Sequence, residues 1–116
     1  MKYVLVVDDD PSVSQGLSRL LRQSGYEVAT ANTGLEALAM VHGRRPDVVV
    51  LDVILPDYNG FELLEQFRLR DMSDVAIVVL SGLLRPLSGM GLISLVKPVT
   101  IEELSAAIER AYGELR

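Results

Sequence analysis

The chain has no cysteine. Disulfide frameworks, thiolate metal sites and cysteine nucleophiles are therefore excluded, and a reducing compartment is compatible with the composition. Histidine is nearly absent too. His42 stands alone beside Gly43-Arg44-Arg45 near the end of a helical pattern, and reads as a solvated residue with no chemical role. No basic helix offsets the net charge of −5, so the sequence predicts no direct binding to nucleic acid and none to an anionic membrane. There is no long hydrophobic run: Tyr3-Val4-Leu5-Val6-Val7 is too short for a signal peptide and is followed at once by Asp8-Asp9-Asp10, which predicts a cytoplasmic protein. Internal repeats, low-complexity tracts and linkers are also missing. At 116 residues and 49% hydrophobic content, the expectation is one domain over residues 1–116, with one core and no effector domain.

The most informative stretch that is present is Asp47-Val48-Val49-Val50-Leu51-Asp52, an uninterrupted apolar and mostly β-branched run that ends in an acid. A strand apolar on both faces belongs in the middle of a parallel sheet covered by helices. Asp52 should therefore emerge at the carboxyl edge, where ligands and chemistry collect in open α/β sheets. Pro56 and Asn59-Gly60 supply turn signals over the acid.

The remaining chain repeats this plan. Tyr3 to Val7 is a second buried strand ending in acids. Asp10 and Pro11 form a cap and first turn for a helix carrying Val13, Leu17, Leu20 and Leu21 as its apolar stripe, and Gly25 ends it. Glu27 to Ala31 is a short strand, and Thr33-Gly34-Leu35-Glu36 has the form of a capping box for a helix through about Val41. Phe61, Leu64 and Phe67, with Leu63 beside them, make the apolar stripe of a helix after Gly60 through about Arg70, and Asn59 with Glu62 supplies its cap. Val75 to Leu80 and Leu92 to Val96 are further strands, and Thr100-Ile101-Glu102-Glu103 caps a last helix with Leu104 and Ile108 inward. Between the last two strands, residues 83–91 hold one proline and two glycines in nine positions, poor material for a helix.

A βα unit repeated in this way, with right-handed crossovers, gives an α/β doubly wound five-stranded parallel sheet. In the flavodoxin-like strand order 2-1-3-4-5, the first and third strand edges are neighbours, so Asp8, Asp9 and Asp52 converge. Carboxylates in such proximity resist joint ionisation unless a cation is present. Mg²⁺ suits the group, since it takes one or two carboxylates and keeps its remaining positions for water or phosphate oxygens. Ser81 at the next strand edge offers a hydroxyl donor to a phosphoryl oxygen, and Lys97 one strand further offers a compact positive charge.

Together, Val-Val-Asp8-Asp9-Asp10-Pro11, Asp52-x-x-Leu55-Pro56-x-x-Asn59-Gly60, Ser81-Gly82 and Lys97-Pro98 resemble the receiver domain of two-component response regulators over essentially the whole chain. The resemblance implies that Asp52 accepts a phosphoryl group from a sensor histidine kinase or phosphotransfer protein. It implies that Asp9 and Asp52 bind Mg²⁺ together with the Ile54 backbone carbonyl, that Asp8 acts largely through water, that Ser81 and Lys97 bind the phosphoryl oxygens, and that Lys97-Pro98 is cis. Such a domain is a switch and not a turnover enzyme. The bland readings, in which Asp8 and Asp9 only favour a helix N-terminus or Asp52 and Lys97 are a structural ion pair, explain less: Asp10 already serves the helix, and a buried ion pair is weak grounds for stability.

The chain also departs from that pattern. Ser81 and Lys97 are sixteen positions apart, short of the family spacing by more than a helical turn, which predicts a fourth helix that is shortened or absent. Ser94 stands where relatives usually carry the aromatic residue of their switch relay. Leu83, Leu84, Leu87 and Met90 then either present an apolar surface across residues 83–92 for self-association or partner binding, or fold down as a lid. These departures favour the alternative of a pseudo-receiver, a protein-binding module that signals without phosphate. A phosphatase with an aspartyl nucleophile usually wants a second acid two positions on, where Ile54 stands, and the same apolar side chain predicts slow loss of the phosphoryl group.

Overall fold

The computed structural model describes residues 2–52, 57, 60–70, 72–81, 88–89 and 92–115. The chain runs β1 (Tyr3–Val7), α1 (Pro11–Gln23), β2 (Glu27–Ala31), α2 (Gly34–Gly43), β3 (Val48–Asp52), α3 (Gly60–Leu69), β4 (Ala76–Ser81), β5 (Ser88–Gly89), β6 (Leu92–Val96) and α4 (Ile101–Gly113). The sheet order is β2-β1-β3-β4-β6-β5. Its first five members are parallel and reproduce the expected 2-1-3-4-5 order; β5 pairs antiparallel to β6 and was not legible in the sequence, because a two-residue strand carries no periodicity. The expected loss of a fourth helix concerns a segment of which residues 82–87, 90 and 91 lie outside the described residues, and so do Leu83, Leu84, Leu87 and Met90 of the predicted apolar surface.

Alternation along the strands splits the core into two layers. Val4, Val6, Val48, Val50, Val78 and Leu80 face α1 and α4, where Leu21, Leu104 and Ile108 are fully buried. Leu5, Val7, Val49 and Leu51 face α2 and α3, against Leu38, Val41, Leu63 and Phe67. Each fully buried Val or Leu contributes about 1.5–3 kcal/mol over an exposed one, and β1 and β3 are buried at every position. The strand ends that carry Asp8 and Asp52 are thereby fixed side by side, Val7 pairing with Leu51.

The helix ends follow the sequence signals in most cases. The Asp10 carboxylate accepts from the Ser12 N–H at 2.9 Å, with Pro11 in the first turn. After α1 the chain turns at Gly25, whose φ of +96° suits glycine. In α4 the capping box is complete, Thr100 and Glu103 bonding each other's backbone N–H. At α2 only the Thr33 half of the box forms; the Gly34 and Leu35 N–H groups instead donate to Asp57, at 2.8 and 2.9 Å.

The expected apolar stripe of α1 holds at Leu21, which is fully buried, and at Leu17, which packs half-buried against the core, and fails at its other two positions. Val13 and Leu20 are 42% and 41% exposed, and the buried positions are Ser14, Ser18 and Leu21. Serine side chains are short enough to let the helix approach the sheet, and Ser14 Oγ is held in that approach by Asn32 Nδ2 and the Pro11 carbonyl. The helix is therefore rotated relative to the stripe that its leucines and valine describe.

Candidate functional site

The carboxyl edge of the sheet brings together side chains from three loops. Asp52 is the last residue of β3, Asp8 and Asp9 follow β1, and Lys97 follows β6. One oxygen from each of Asp8, Asp9 and Asp52 lies within 4.8 Å of the other two. Asp8 and Asp52 are buried, at 3% and 8% exposure, and Asp9 is exposed. Lys97 Nζ donates to Asp52 Oδ2 at 3.0 Å, and the Lys97-Pro98 peptide bond is cis.

Asp8 is the most constrained member. Its backbone N–H donates to the Ala31 carbonyl at 3.0 Å, its own carbonyl accepts from Asn32 Nδ2 at 2.8 Å, and its Oδ1 accepts from the Asp10 N–H at 3.0 Å. Burial pushes its carboxyl up to about 6; the nearby Asp52 charge adds to the rise, while the Asp10 N–H and the Lys97 ammonium oppose it. Three carboxylates meet one ammonium here, so negative charge exceeds the cation supplied by the described side chains.

That excess and the donor set fit a hard divalent cation. All three ligands are carboxylates, with no nitrogen or sulfur donor among them, which suits Mg²⁺ better than a softer transition metal. Asp9, being exposed, leaves one side of the group open.

Of the residues singled out from sequence, Asp8, Asp9, Asp52 and Lys97 meet here. Ser81 ends β4, its backbone paired with Val96 directly before Lys97, and its side chain lies outside the description. Ile54 lies outside the described residues altogether. His42 is exposed near the end of α2, as predicted. Asn32, which holds both the Asp8 backbone and Ser14, was missed, although a short amide directly after β2 at the same sheet edge is a readable signal. Asp57, which ties the loop after β3 to the start of α2, was also missed, because its partners are backbone groups with no sequence signature.

Comparison with known proteins bears directly on this arrangement. The family model described as the response regulator receiver domain matches residues 4–109. The response regulator MprA of Mycobacterium leprae is 40% identical over 111 residues, covering 90% of this chain and 48% of that protein. A probable transcriptional regulatory protein, TcrX of Mycobacterium tuberculosis, is 48% identical over 65 residues, 56% of this chain and 28% of that one. The chain spans less than half the length of these curated relatives. Among solved structures, the chemotaxis response regulator CheY4 of Vibrio cholerae is 36% identical with a TM-score of 0.85, covering 96% of this chain and 98% of the other. A Francisella response regulator receiver domain superposes with a TM-score of 0.86 at 27% identity over the full length of both chains.

Proposed function

The chain belongs to the response regulator receiver domain family, and from that premise we propose that Asp52 is the phosphoacceptor of a switch served by a sensor histidine kinase or a phosphotransfer protein in the cytoplasm. The observation that carries this reading is the hydrogen bond from Lys97 to Asp52 beside Asp8 and Asp9. It supports a nucleophile held by a charge that can pass to the incoming group.

In this mechanism an Asp52 carboxylate oxygen attacks phosphorus in line with the phosphohistidine nitrogen. The O–P bond forms as the P–N bond breaks, and the imidazole leaves with the electron pair. Asp52 needs no general base, since it reacts as the carboxylate. Lys97 exchanges its bond from Asp52 to a phosphoryl oxygen, and Ser81 donates its hydroxyl to another. Asp8, Asp9, Asp52 and the Ile54 carbonyl are the residues that would hold Mg²⁺, Asp8 through water. When bound, that ion neutralises charge on the transferring group. Rigid placement by β1 and β3 supplies most of the protein's share, through orientation and not through proton transfer. With an apolar residue at position 54, no polar side chain two positions on orients a hydrolytic water, so the acyl phosphate is lost slowly.

The experiment is exposure of the whole chain to a small phosphodonor, such as phosphoramidate, with and without Mg²⁺. We expect Mg²⁺-dependent incorporation, abolished in Asp52→Asn. Absence of incorporation in the wild type under any metal condition would favour the pseudo-receiver reading, for which Ser94 in β6 is the motivating feature.

A further inference from the structure

Away from the acid cluster, α1 and the edge strand β2 enclose an open-sided cleft of about 570 Å³, lined by Gln15, Ser18, Arg19, Arg22 and Gln23 of the helix and Thr30 of the strand. Its charge runs against that of the chain. Acids outnumber basic residues by 16 to 11, and Arg44, Arg45, Arg68 and Arg110 each pair with a carboxylate. Neither Arg19 nor Arg22 has an acidic partner among the described residues. They are one helical turn apart on the same face of α1, and both line the cleft.

The wall between them is also unfinished. Glu27 N–H donates to the Lys2 carbonyl and the Ala31 carbonyl accepts from Asp8 N–H. Alternation along β2 therefore points the backbone groups of Val28 and Thr30 to the open edge of the sheet. Arg22 Nη2 donates to the Val28 carbonyl at 2.9 Å, which covers one of those acceptors and fixes the guanidinium at the cleft. Ser18 is 2% exposed, and its Oγ has no hydrogen-bond partner. A buried hydroxyl without a partner is uncommon, since a helical serine usually bonds the carbonyl one turn back.

From these observations we infer that the α1–β2 cleft binds the di- or triphosphate group of a small molecule, in a site separate from the Asp52 pocket. Two arginines one helical turn apart in the cleft lining suit two phosphate charges in the bidentate manner that arginine favours. Two amides and the Thr30 hydroxyl provide further donors, and the volume is that of a small-ligand site. Among the described residues no aromatic side chain lines the cleft, so recognition there rests on the phosphates and not on stacking of a nucleobase.

The test is a titration of the ¹⁵N-labelled full chain with inorganic pyrophosphate in EDTA, at an ionic strength of about 0.15 M, where weak surface attraction is screened. Saturable shifts are expected at Gln15, Ser18, Arg19, Arg22, Gln23 and Thr30. ATP should bind about as well as pyrophosphate, and citrate should bind more weakly. The double substitution Arg19→Gln with Arg22→Gln should weaken binding about tenfold or more. Arg19→Gln alone, which breaks no hydrogen bond within the protein, should weaken it about threefold with the melting temperature unchanged. The inference is overturned by any of these outcomes: no saturation at millimolar pyrophosphate, shifts centred on residues 8, 9, 52 and 97, citrate binding as tightly as pyrophosphate, or wild-type affinity in both variants.

Discussion

At the scale of single residues, the chain uses buried or half-buried polar groups as joints between distant segments. Tyr26 is an example away from the acid cluster. Its hydroxyl donates to Glu109 Oε2 at 2.6 Å, and Lys2 Nζ donates to the other oxygen at 3.0 Å, so one carboxylate ties the start of β1 and the turn before β2 to α4. The Tyr26 bond, and after it Lys2, holds the Glu109 carboxyl below its ordinary value of 4.5. A carboxyl lowered by folding contributes stability above its unfolded pKa, and that contribution disappears as pH falls through the lower folded value. Tyr26→Phe should therefore move the Glu109 titration upward, towards 4.5, and reduce this group's share of the acid sensitivity. A carboxyl-carbon NMR titration of both proteins checks the direction, and an unmoved Glu109 would show that Lys2 alone sets its value.

At the scale of elements, the helix ends and the strands were read from different kinds of signal, and they were legible to different degrees. Runs such as Tyr3 to Val7 and Val48 to Leu51 identify buried parallel strands without help from context, because few other structures use so many β-branched residues in succession. The Thr100–Glu103 box likewise identifies the start of α4 from local chemistry. Removing its hydroxyl with Thr100→Ala should cost about 1 kcal/mol, read as a lowered midpoint in urea unfolding with an unchanged slope. What local chemistry does not contain is the rotation of α1, where Ser14 and Ser18 face inward and Val13 and Leu20 remain about two-fifths exposed. Helical spacing gives a stripe, but the approach of the helix to the sheet depends on the small residues beside it and on Asn32, a tertiary partner. The same holds for the start of α2, whose first amides are satisfied by Asp57 from another loop.

At the scale of the whole molecule, two apolar layers clamp a parallel sheet so that side chains distant in sequence share one edge. The convergence of Asp8, Asp9, Asp52 and Lys97 was legible because it follows from topology: neighbouring parallel strands present their carboxyl ends together. Side-chain detail was less legible. The exposure of Asp9 beside two buried acids and the hold of Asn32 on Asp8 both depend on loop paths that the sequence does not specify. Family membership and fold describe a receiver domain; the identity of the reacting atom is the claim on which the proposed mechanism depends. The most direct measurement traps the acyl phosphate chemically. After exposure to a small phosphodonor and Mg²⁺, borohydride reduction converts a phosphorylated aspartate to homoserine, whose position is read by peptide mass spectrometry. The account predicts homoserine at position 52 only, and none when Mg²⁺ is chelated; homoserine at another aspartate with position 52 unmodified would contradict it.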